Sequence, residues 1–206
     1  MIGFYDYTVI LTLLSLACSI AGITQAVSGN LRFALIFLVL SGLFDTFDGK
    51  VARTKKNRTD DEKLYGIQLD SLVDVVCFGV FPAVICFCSG LKTIWDIILF
   101  CFYGVAGVIR LAYYNVLETN RQFDPEAGAK VYHGLPITSI TIILPLFYLL
   151  KFAVSPAVFL WVLRVVLLLT GTLFIIDFKI NKLKNWQIAL LAVIVGGAAL
   201  LTAILS

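Results

Sequence analysis

The sequence predicts an all-α fold, a polytopic bundle of transmembrane helices that forms a single integral membrane domain over residues 1–206. Composition is the first observation, because 60% of the 206 residues are hydrophobic and only 14% are charged, whereas a soluble domain has about 25% charged residues. The second observation is the mean hydropathy of +0.97. The third is the recurrence of apolar runs long enough to cross a bilayer, separated by polar loops too short to fold separately.

Seven apolar runs are the predicted transmembrane segments, and polar or turn-forming residues set their limits. In chain order they cover residues 7–27, 31–53, 64–88, 93–117, 135–152, 156–178 and 185–206. The turns SGN and SGLK follow the first and third runs, and long polar loops follow the second and fourth. The basic linker KINKLKN follows the sixth. Arg164 lies inside the sixth run, so we expect it to meet a bundle partner or to snorkel. Alternatively, the last two runs form one broken element.

The distribution of basic residues predicts the orientation in the cytoplasmic membrane. If the segments alternate across the bilayer, only Arg32, Lys92 and Lys151 fall on one side. The other side holds the remaining loop cations, which are Lys50, Arg53, Lys55, Lys56, Arg58, Lys63, Arg121, Lys130, Lys179, Lys182 and Lys184. Because positive loops stay inside, this side is expected to face the cytoplasm.

The stretch DTFDGKVARTKKNRTDDEKLYGIQLDSLVD places four carboxylates at the inner ends of the second and third segments. Asp45 and Asp48 are three residues apart and share one helix face, while Gly66, Asp70 and Asp74 are spaced by four and share another. If these segments pack together, the carboxylates converge, and in a low dielectric they then need cations between them. Oxygen ligands suit Mg²⁺ or Mn²⁺, and a pair of such ions suits pyrophosphate chemistry.

The order D-x-x-D-G-x-x-A-R followed by G-x-x-x-D-x-x-x-D, which runs from Asp45 to Asp74, resembles the signature of the CDP-alcohol phosphotransferases. Members of this family are membrane enzymes with a six-helix core that move a phosphatidyl group from CDP-diacylglycerol to an alcohol and release CMP. Eight fixed positions in a set order make the resemblance specific. One departure is that the gap between Arg53 and Gly66 is longer than the family's commonest spacing. The additional residues fall in a hydrophilic loop, where insertions are tolerated.

The resemblance implies a role for each fixed position. The expected ligands of two divalent ions are Asp45, Asp48, Asp70 and Asp74. Asp74 is also expected to be the general base that takes the proton from the acceptor hydroxyl. CDP-diacylglycerol would be bound by Gly49, Ala52, Arg53 and Gly66, because the small residues allow close approach and the arginine can bind a pair of phosphate oxygens. The reaction would be a direct in-line transfer, since no Ser, Cys or His is placed as a covalent nucleophile.

The flanking stretches GFYDYTVILT, GIQLDSLVDVVCFGVFPA, RLAYYNV and HGLPIT resemble those of bacterial phosphatidylserine synthases. This resemblance implies L-serine as the acceptor and phosphatidylserine as the product. Arg110 is the first candidate for binding the serine carboxylate, because an intramembrane arginine indicates a functional site. Asn115 and Lys130 are the next candidates. Arg110 could instead simply pair with one of the acids.

Other functions stay open at this point. The acceptor could be glycerol 3-phosphate or inositol, or the donor an archaeal ether lipid. A divalent-cation transporter is the alternative from a different class, although the apolar run beyond Asp74 disfavours a permeation path. The net charge of +3 is scattered, which argues against a nucleic-acid partner. We expect the five cysteines to be small buried hydrophobic residues rather than metal ligands or disulfides. Gly196 and Gly197 could form the seam of a homodimer.

Overall fold

A computed structural model describes residues 3–4, 7–52, 54–55, 57–123, 132–180, 196–197 and 202. The predicted all-α fold is confirmed, since nearly all of these residues lie in helices. Four helices in the described ranges are long and apolar enough to cross a membrane, and they are Tyr7–Val27, Asp60–Cys88, Ile94–Arg121 and Pro156–Ile175. The chain is therefore an integral membrane protein.

Seven α-helices follow one another along the described chain. They are α1 Ile10–Val27, α2 Leu31–Ala52, α3 Asp60–Asp74, α4 Phe81–Cys88, α5 Ile94–Phe123, α6 Ile140–Tyr148 and α7 Pro156–Ile175. Short 3-10 turns at Tyr7–Val9, Ile137–Ser139 and Leu149–Phe152 extend α1 and flank α6. The first six predicted segments correspond to these elements. The predicted seventh segment, residues 185–206, lies outside the described residues except for Gly196, Gly197 and Thr202.

Helix α3 begins four residues earlier than the sequence analysis predicted. Thr59 and Glu62 form a capping box, in which the Glu62 N–H donates to Thr59 Oγ1 (3.2 Å) and the Thr59 N–H donates to Glu62 Oε2 (3.0 Å). This arrangement satisfies two N–H groups that have no partner within the helix. The acidic residues Asp60 and Asp61 also lie at the positive end of the helix dipole. The prediction that this segment begins at residue 64 is therefore wrong.

Between α3 and α4 the backbone follows a π-helix from Val75 to Val80, so that one continuous helix spans Asp60–Cys88. A π-helical turn widens the helix and interrupts the regular hydrogen-bond ladder. The Tyr103 hydroxyl, which is fully buried on α5, donates to the Phe78 carbonyl at 2.6 Å. This bond joins α5 to the π-helical turn that directly follows Asp74.

Helix α5 extends past the predicted limit at residue 117 and ends at Phe123. Its polar last turns include an ion pair between Arg121 and Glu118 (3.3 Å), which supports this extension. At its other end, Asp96 accepts hydrogen bonds from Arg164 Nε on α7 (2.7 Å) and from Arg164 Nη2 (3.2 Å). The expectation that Arg164 meets a bundle partner is confirmed, and that partner is a carboxylate with only 1% of its surface exposed.

A glycine turn connects the chain after α5 to the end of α7. The two-residue strands β1 Tyr132–His133 and β2 Lys179–Ile180 pair antiparallel. Gly134 follows β1 with φ of +65°, and its N–H donates to the Phe178 carbonyl at 2.8 Å. The Leu135 N–H donates to the Leu173 carbonyl in the last turn of α7 (3.1 Å), an acceptor that has no partner within the helix. The beginning of the α6 region is therefore fixed against the end of α7.

The core is formed where α1, α2, the Asp60–Cys88 helix, α5, α6 and α7 meet. Its largest fully buried side chains include Tyr103, Tyr148, Phe78 and Phe81. All five cysteines are free thiols, as expected. The prediction that they are buried is confirmed for Cys77 and Cys86, whereas Cys18 and Cys88 are only partly buried and Cys101 is exposed on α5. In a membrane protein an exposed apolar surface of this kind faces lipid.

Candidate active site

A cavity of about 490 Å³ opens between α1, the last turns of α2, helix α3 and the last part of α5. Seven of its lining residues were predicted for metal or nucleotide binding, and two more were predicted for acceptor binding. These residues are Asp45, Asp48, Gly49, Ala52, Gly66, Asp70, Asp74, Arg110 and Asn115, of which Asp74 was given two roles. The structure therefore brings together every predicted site residue that it describes.

The four carboxylates meet across the interface of α2 and α3. One oxygen each from Asp45, Asp70 and Asp74 lies within 4.8 Å of the others, a spacing that a single metal ion can bridge. Asp48 lies beside them and accepts a hydrogen bond from Thr12 Oγ1 on α1 (3.0 Å). Asp48 and Asp74 are buried, at 9% and 7% exposure. The spacing of the acids in the sequence is what places them on these facing helix surfaces.

Two carboxylate atoms in this cluster have no hydrogen-bond partner among the described residues. They are Oδ1 of Asp70 and Oδ1 of Asp74, and both are shielded from solvent by the protein. A buried polar atom without a partner is costly, and adjacent carboxylates repel one another. Hard divalent cations are bound by such oxygen atoms. The residues present therefore fit a divalent metal site.

The small residues of the motif leave room on the cavity wall. A Cβ atom added to Gly49 would meet no atom within 4 Å, so this side of α2 is open. Ala52 lines the cavity one turn further along. A Cβ atom on Gly66 would lie 2.7 Å from Nη2 of Arg58, so this glycine makes room for the arginine. Arg53 was predicted to bind phosphate and lies outside the described residues.

The candidate acceptor residues lie on the α5 side of the cavity. Arg110 is 7% exposed, and its guanidinium lies over the Tyr114 ring at 4.5 Å from the ring centroid. Asn115 Oδ1 accepts a hydrogen bond from Ser71 on α3 at 2.5 Å, which leaves the Asn115 amide group as a donor. Because α3 and α5 run in opposite directions, Arg110 lies about 7 Å deeper than this contact, near the level of Asp74. Lys130 was also predicted here and lies outside the described residues.

Sequence analysis missed several residues of this cavity. Arg58 and Lys63 line it beside Gly66, although the sequence analysis counted them only as loop charges. Tyr114 could have been found, since it follows Arg110 by four residues and so shares its helix face. Thr12 carried no signal, because nothing in the sequence distinguishes a threonine that reaches an acid from one that caps or packs.

A sequence model of the CDP-alcohol phosphatidyltransferases matches residues 7–176, which include all four acids and every helix from α1 to α7. The chain belongs to the CDP-alcohol phosphatidyltransferase family. The resemblance stated from the motif is thereby confirmed, and the cavity at α2, α3 and α5 is the place where this family's signature residues meet in the present chain.

Named relatives of the family are similar to much of the chain. A CDP-diacylglycerol–serine O-phosphatidyltransferase of Saccharomyces cerevisiae is 38% identical over 120 residues, which cover 57% of this chain and 42% of that protein. An archaetidylserine synthase of Methanothermobacter thermautotrophicus is 33% identical over 144 residues, covering 69% of this chain and 58% of that protein. A CDP-diacylglycerol–serine O-phosphatidyltransferase of Bacillus subtilis is 31% identical over 111 residues, covering 53% and 60% respectively. The chain thus spans about two fifths to three fifths of the length of these relatives.

Proposed function

We propose that the chain is a single catalytic domain that transfers the phosphatidyl group from CDP-diacylglycerol to the hydroxyl of L-serine. The products are phosphatidylserine and CMP. The observation that carries this proposal is the set of four carboxylates facing one cavity at the membrane-embedded ends of two helices. The names of the yeast and bacterial relatives favour serine as the acceptor.

The four acids are the proposed metal ligands. In the proposal, Asp45, Asp48, Asp70 and Asp74 hold two divalent ions, Mg²⁺ or Mn²⁺. Such ions, when bound, neutralise the charge of a pyrophosphate and of the departing CMP. The unpartnered oxygens of Asp70 and Asp74 support this assignment.

Asp74 is the proposed general base. It accepts the proton of the serine hydroxyl as that oxygen forms a bond to the β-phosphorus of CDP-diacylglycerol. The bond between this phosphorus and the oxygen of CMP breaks in the same in-line step, and CMP leaves with the electron pair. The position of Asp74 near the level of Arg110 supports this role, because base and acceptor then lie at the same depth.

Substrate binding is assigned to the walls of the cavity. Gly49, Ala52 and Gly66, with Arg53, are proposed to bind the nucleotide part of CDP-diacylglycerol. Arg110 is proposed to bind the serine carboxylate, and the Asn115 amide donor to assist it. Lys130 remains a further candidate for this pocket. The stacking of Arg110 on Tyr114 supports its role, since it fixes the guanidinium at the cavity wall.

We further propose that the active site faces the cytoplasm of the cytoplasmic membrane. The support is the excess of lysine and arginine in the loops next to the cavity. CDP-diacylglycerol would then enter from the bilayer and serine from water. A homodimer through Gly196 and Gly197 remains a prediction.

Two alternative functions can be weighed against these observations. The similarity to an archaetidylserine synthase supports an ether lipid as an alternative donor, and the name of that relative again indicates serine as the acceptor. A cation transporter is disfavoured, because the Asp60–Cys88 helix is apolar beyond Asp74 on its buried side. The residues there, Cys77, Phe78, Phe81 and Ile85, are all fully buried.

The deciding experiment uses the full chain purified in detergent with CDP-diacylglycerol, Mn²⁺ and labelled serine. We expect labelled lipid and an equal amount of CMP, loss of both on chelation, and recovery when Mg²⁺ or Mn²⁺ is added back. Glycerol 3-phosphate and inositol serve as competing acceptors, and the matching ether-linked donor tests the lipid. If CMP were released only with another alcohol, that alcohol and not serine would be the acceptor. Divalent-ion flux without any lipid product would contradict the enzyme proposal as a whole.

A further inference from the structure

We propose that Arg58 is a nucleotide-binding residue that binds the phosphate retained by CMP, and that Gly66 leaves the space in which this arginine lies. The inference rests on the proposed function, because it identifies a further binding residue of the same cavity. It also gives a role to the loop between Arg53 and Gly66, which is longer in this chain than the common spacing of the family.

Arg58 reaches the cavity from the stretch just before α3. Its Nη2 donates to the backbone carbonyl of Glu62 at 3.0 Å, and this bond holds the guanidinium along the first turns of the helix. Its Nε is buried and has no hydrogen-bond partner among the residues that the structure describes. A guanidinium has five N–H donors in a rigid fork. The Arg58 side chain is therefore held in place by one of its donors, while others remain that can bind an anion.

Gly66 and Arg58 lie in direct contact across the cavity wall. An added Cβ atom at Gly66 would lie 2.7 Å from Nη2 and 3.8 Å from Cζ of Arg58. The first distance is too short, so a side chain at this position would shift the far end of the Arg58 side chain. The absence of a side chain at Gly66 therefore leaves space for Arg58 as well as for the nucleotide.

The position of Arg58 along α3 indicates which part of the substrate it meets. Gly66, Asp70 and Asp74 follow one another by four residues on one helix face, and each step advances about 6 Å along the axis. If the acceptor attacks beside Asp74, the diacylglycerol end lies deep and the cytidine end lies toward Gly66. Arg58 is then about two turns from the general base, on the side where CMP departs. A guanidinium fork matches the paired oxygens of a phosphate.

Arg58 lies in a part of the chain where the sequence departs from the common pattern of its family. Arg58 lies between Arg53 and Gly66, in the segment that is longer than the common family spacing. The Thr59–Glu62 capping box fixes the start of α3 directly after Arg58. Lys55 contacts Glu62 from the same loop at 3.0 Å. These contacts of the described residues before α3 hold Arg58 beside the cavity.

Calorimetric titration of CMP into the detergent-solubilised full chain with Mn²⁺ tests the proposal. Arg58→Ala should raise the Kd for CMP about tenfold, the lower end of what a charged hydrogen bond contributes. Arg58→Lys keeps the charge without the fork and should give a smaller loss. Arg32→Ala, an arginine stacked on Phe33 away from the cavity, is the matched control and should leave the Kd unchanged. An unchanged Kd in Arg58→Ala would overturn the proposal.

A double-mutant cycle tests the role of Gly66. Gly66→Ala should weaken CMP binding in the wild-type background, because it displaces the guanidinium, and should add little in the Arg58→Ala background. Equal losses in both backgrounds would mean that Gly66 acts independently of Arg58, which contradicts the proposal. Thermal melting of each variant checks the fold, and if Arg58→Ala does not fold, Arg58→Lys carries the comparison.

The two proposals fail in different ways. A wild-type chain that releases no CMP from CDP-diacylglycerol contradicts the proposed function, whatever the variants do. A wild-type chain that releases CMP, with an Arg58→Ala variant of unchanged KM for CDP-diacylglycerol and unchanged Kd for CMP, contradicts only the assignment of Arg58.

Discussion

Asp74 is the residue on which the proposed chemistry depends most directly. It is 7% exposed, lies within a cluster of carboxylates, and has one oxygen without a partner in the described part of the chain. A side chain in this position can take a proton from an acceptor hydroxyl while its neighbours hold the substrate. Its loss should therefore affect turnover more than binding.

Asp74→Asn is expected to lower the rate of CMP release at least about a hundredfold, the contribution of a positioned general base. The Kd for CMP should change much less, because three carboxylates of the cluster remain. Rates of CMP release and calorimetric titration of CMP measure the two effects separately. Asp61→Asn removes an exposed acid from the same helix and serves as the control, with neither quantity changed. Equal losses of binding and turnover in Asp74→Asn would count against its role as base.

At the residue scale, the sequence predicted the acids because their spacing alone places them on two helix faces. The same kind of argument located Arg110 and Asn115, since polar residues in an apolar helix are conspicuous. Arg58 could not be predicted, because its position depends on the path of a loop and on a contact with a glycine. The partner of Arg164 was likewise hidden, since Asp96 precedes it by 68 residues.

At the scale of elements, the HGLP turn connects the acceptor side of the cavity to α7. Gly134 has φ of +65°, a conformation that side chains rarely adopt. A Cβ atom there would lie 2.9 Å from the Ile176 carbonyl oxygen and 3.2 Å from Nη1 of Arg110. The turn therefore holds the backbone against the end of α7 and limits where the arginine can lie.

Gly134→Ala is expected to displace Arg110 and so to raise the KM for serine about tenfold, which corresponds to about 1.4 kcal/mol of lost binding. The KM for CDP-diacylglycerol should change less, because the nucleotide residues lie on α2 and α3. Steady-state kinetics with each substrate varied in turn gives both values. Gly104→Ala is the matched control on α5, since no atom lies within 4 Å of its added Cβ. A folded Gly134→Ala variant with unchanged KM for serine would separate Arg110 from the acceptor pocket.

The residues at which the helices begin and end were harder to predict than the helices themselves. The third segment was placed by its apolar run, but α3 starts at Asp60 because Thr59 and Glu62 cap it. The T-x-x-E spacing that signals such a cap is present in the sequence. The π-helical turn Val75–Val80 has no comparable signature, because its apolar residues fit an ordinary α-helix equally well. The hydrogen bond from the Tyr103 hydroxyl to the Phe78 carbonyl within this turn likewise has no signal in the sequence.

At the scale of the whole molecule, the two ends of the bundle differ in their chemistry. The acidic cavity, with Arg58 and Lys63 in its lining, lies at one end of the Asp60–Cys88 helix, which is about 43 Å long. At the opposite end of the bundle, the ion pair between Asp96 and Arg164 joins α5 to α7. Only Asp96 of this pair is buried, and loss of Arg164 would leave its carboxylate without this partner, so the contact stabilises the bundle far from the site.

Cysteine labelling of the two ends tests the predicted orientation. Asn57 is exposed just before α3, and Lys92 is exposed at the opposite end, between α4 and α5. In a Cys101→Ser background, Asn57→Cys should react with a membrane-impermeant maleimide only after the cells are permeabilised. Lys92→Cys should react in intact cells, and the parent without an added cysteine gives the baseline. The reverse pattern would place the cavity outside the cell. That result would contradict the orientation inferred from the basic loops, because CDP-diacylglycerol and serine would then have to be supplied from the external face.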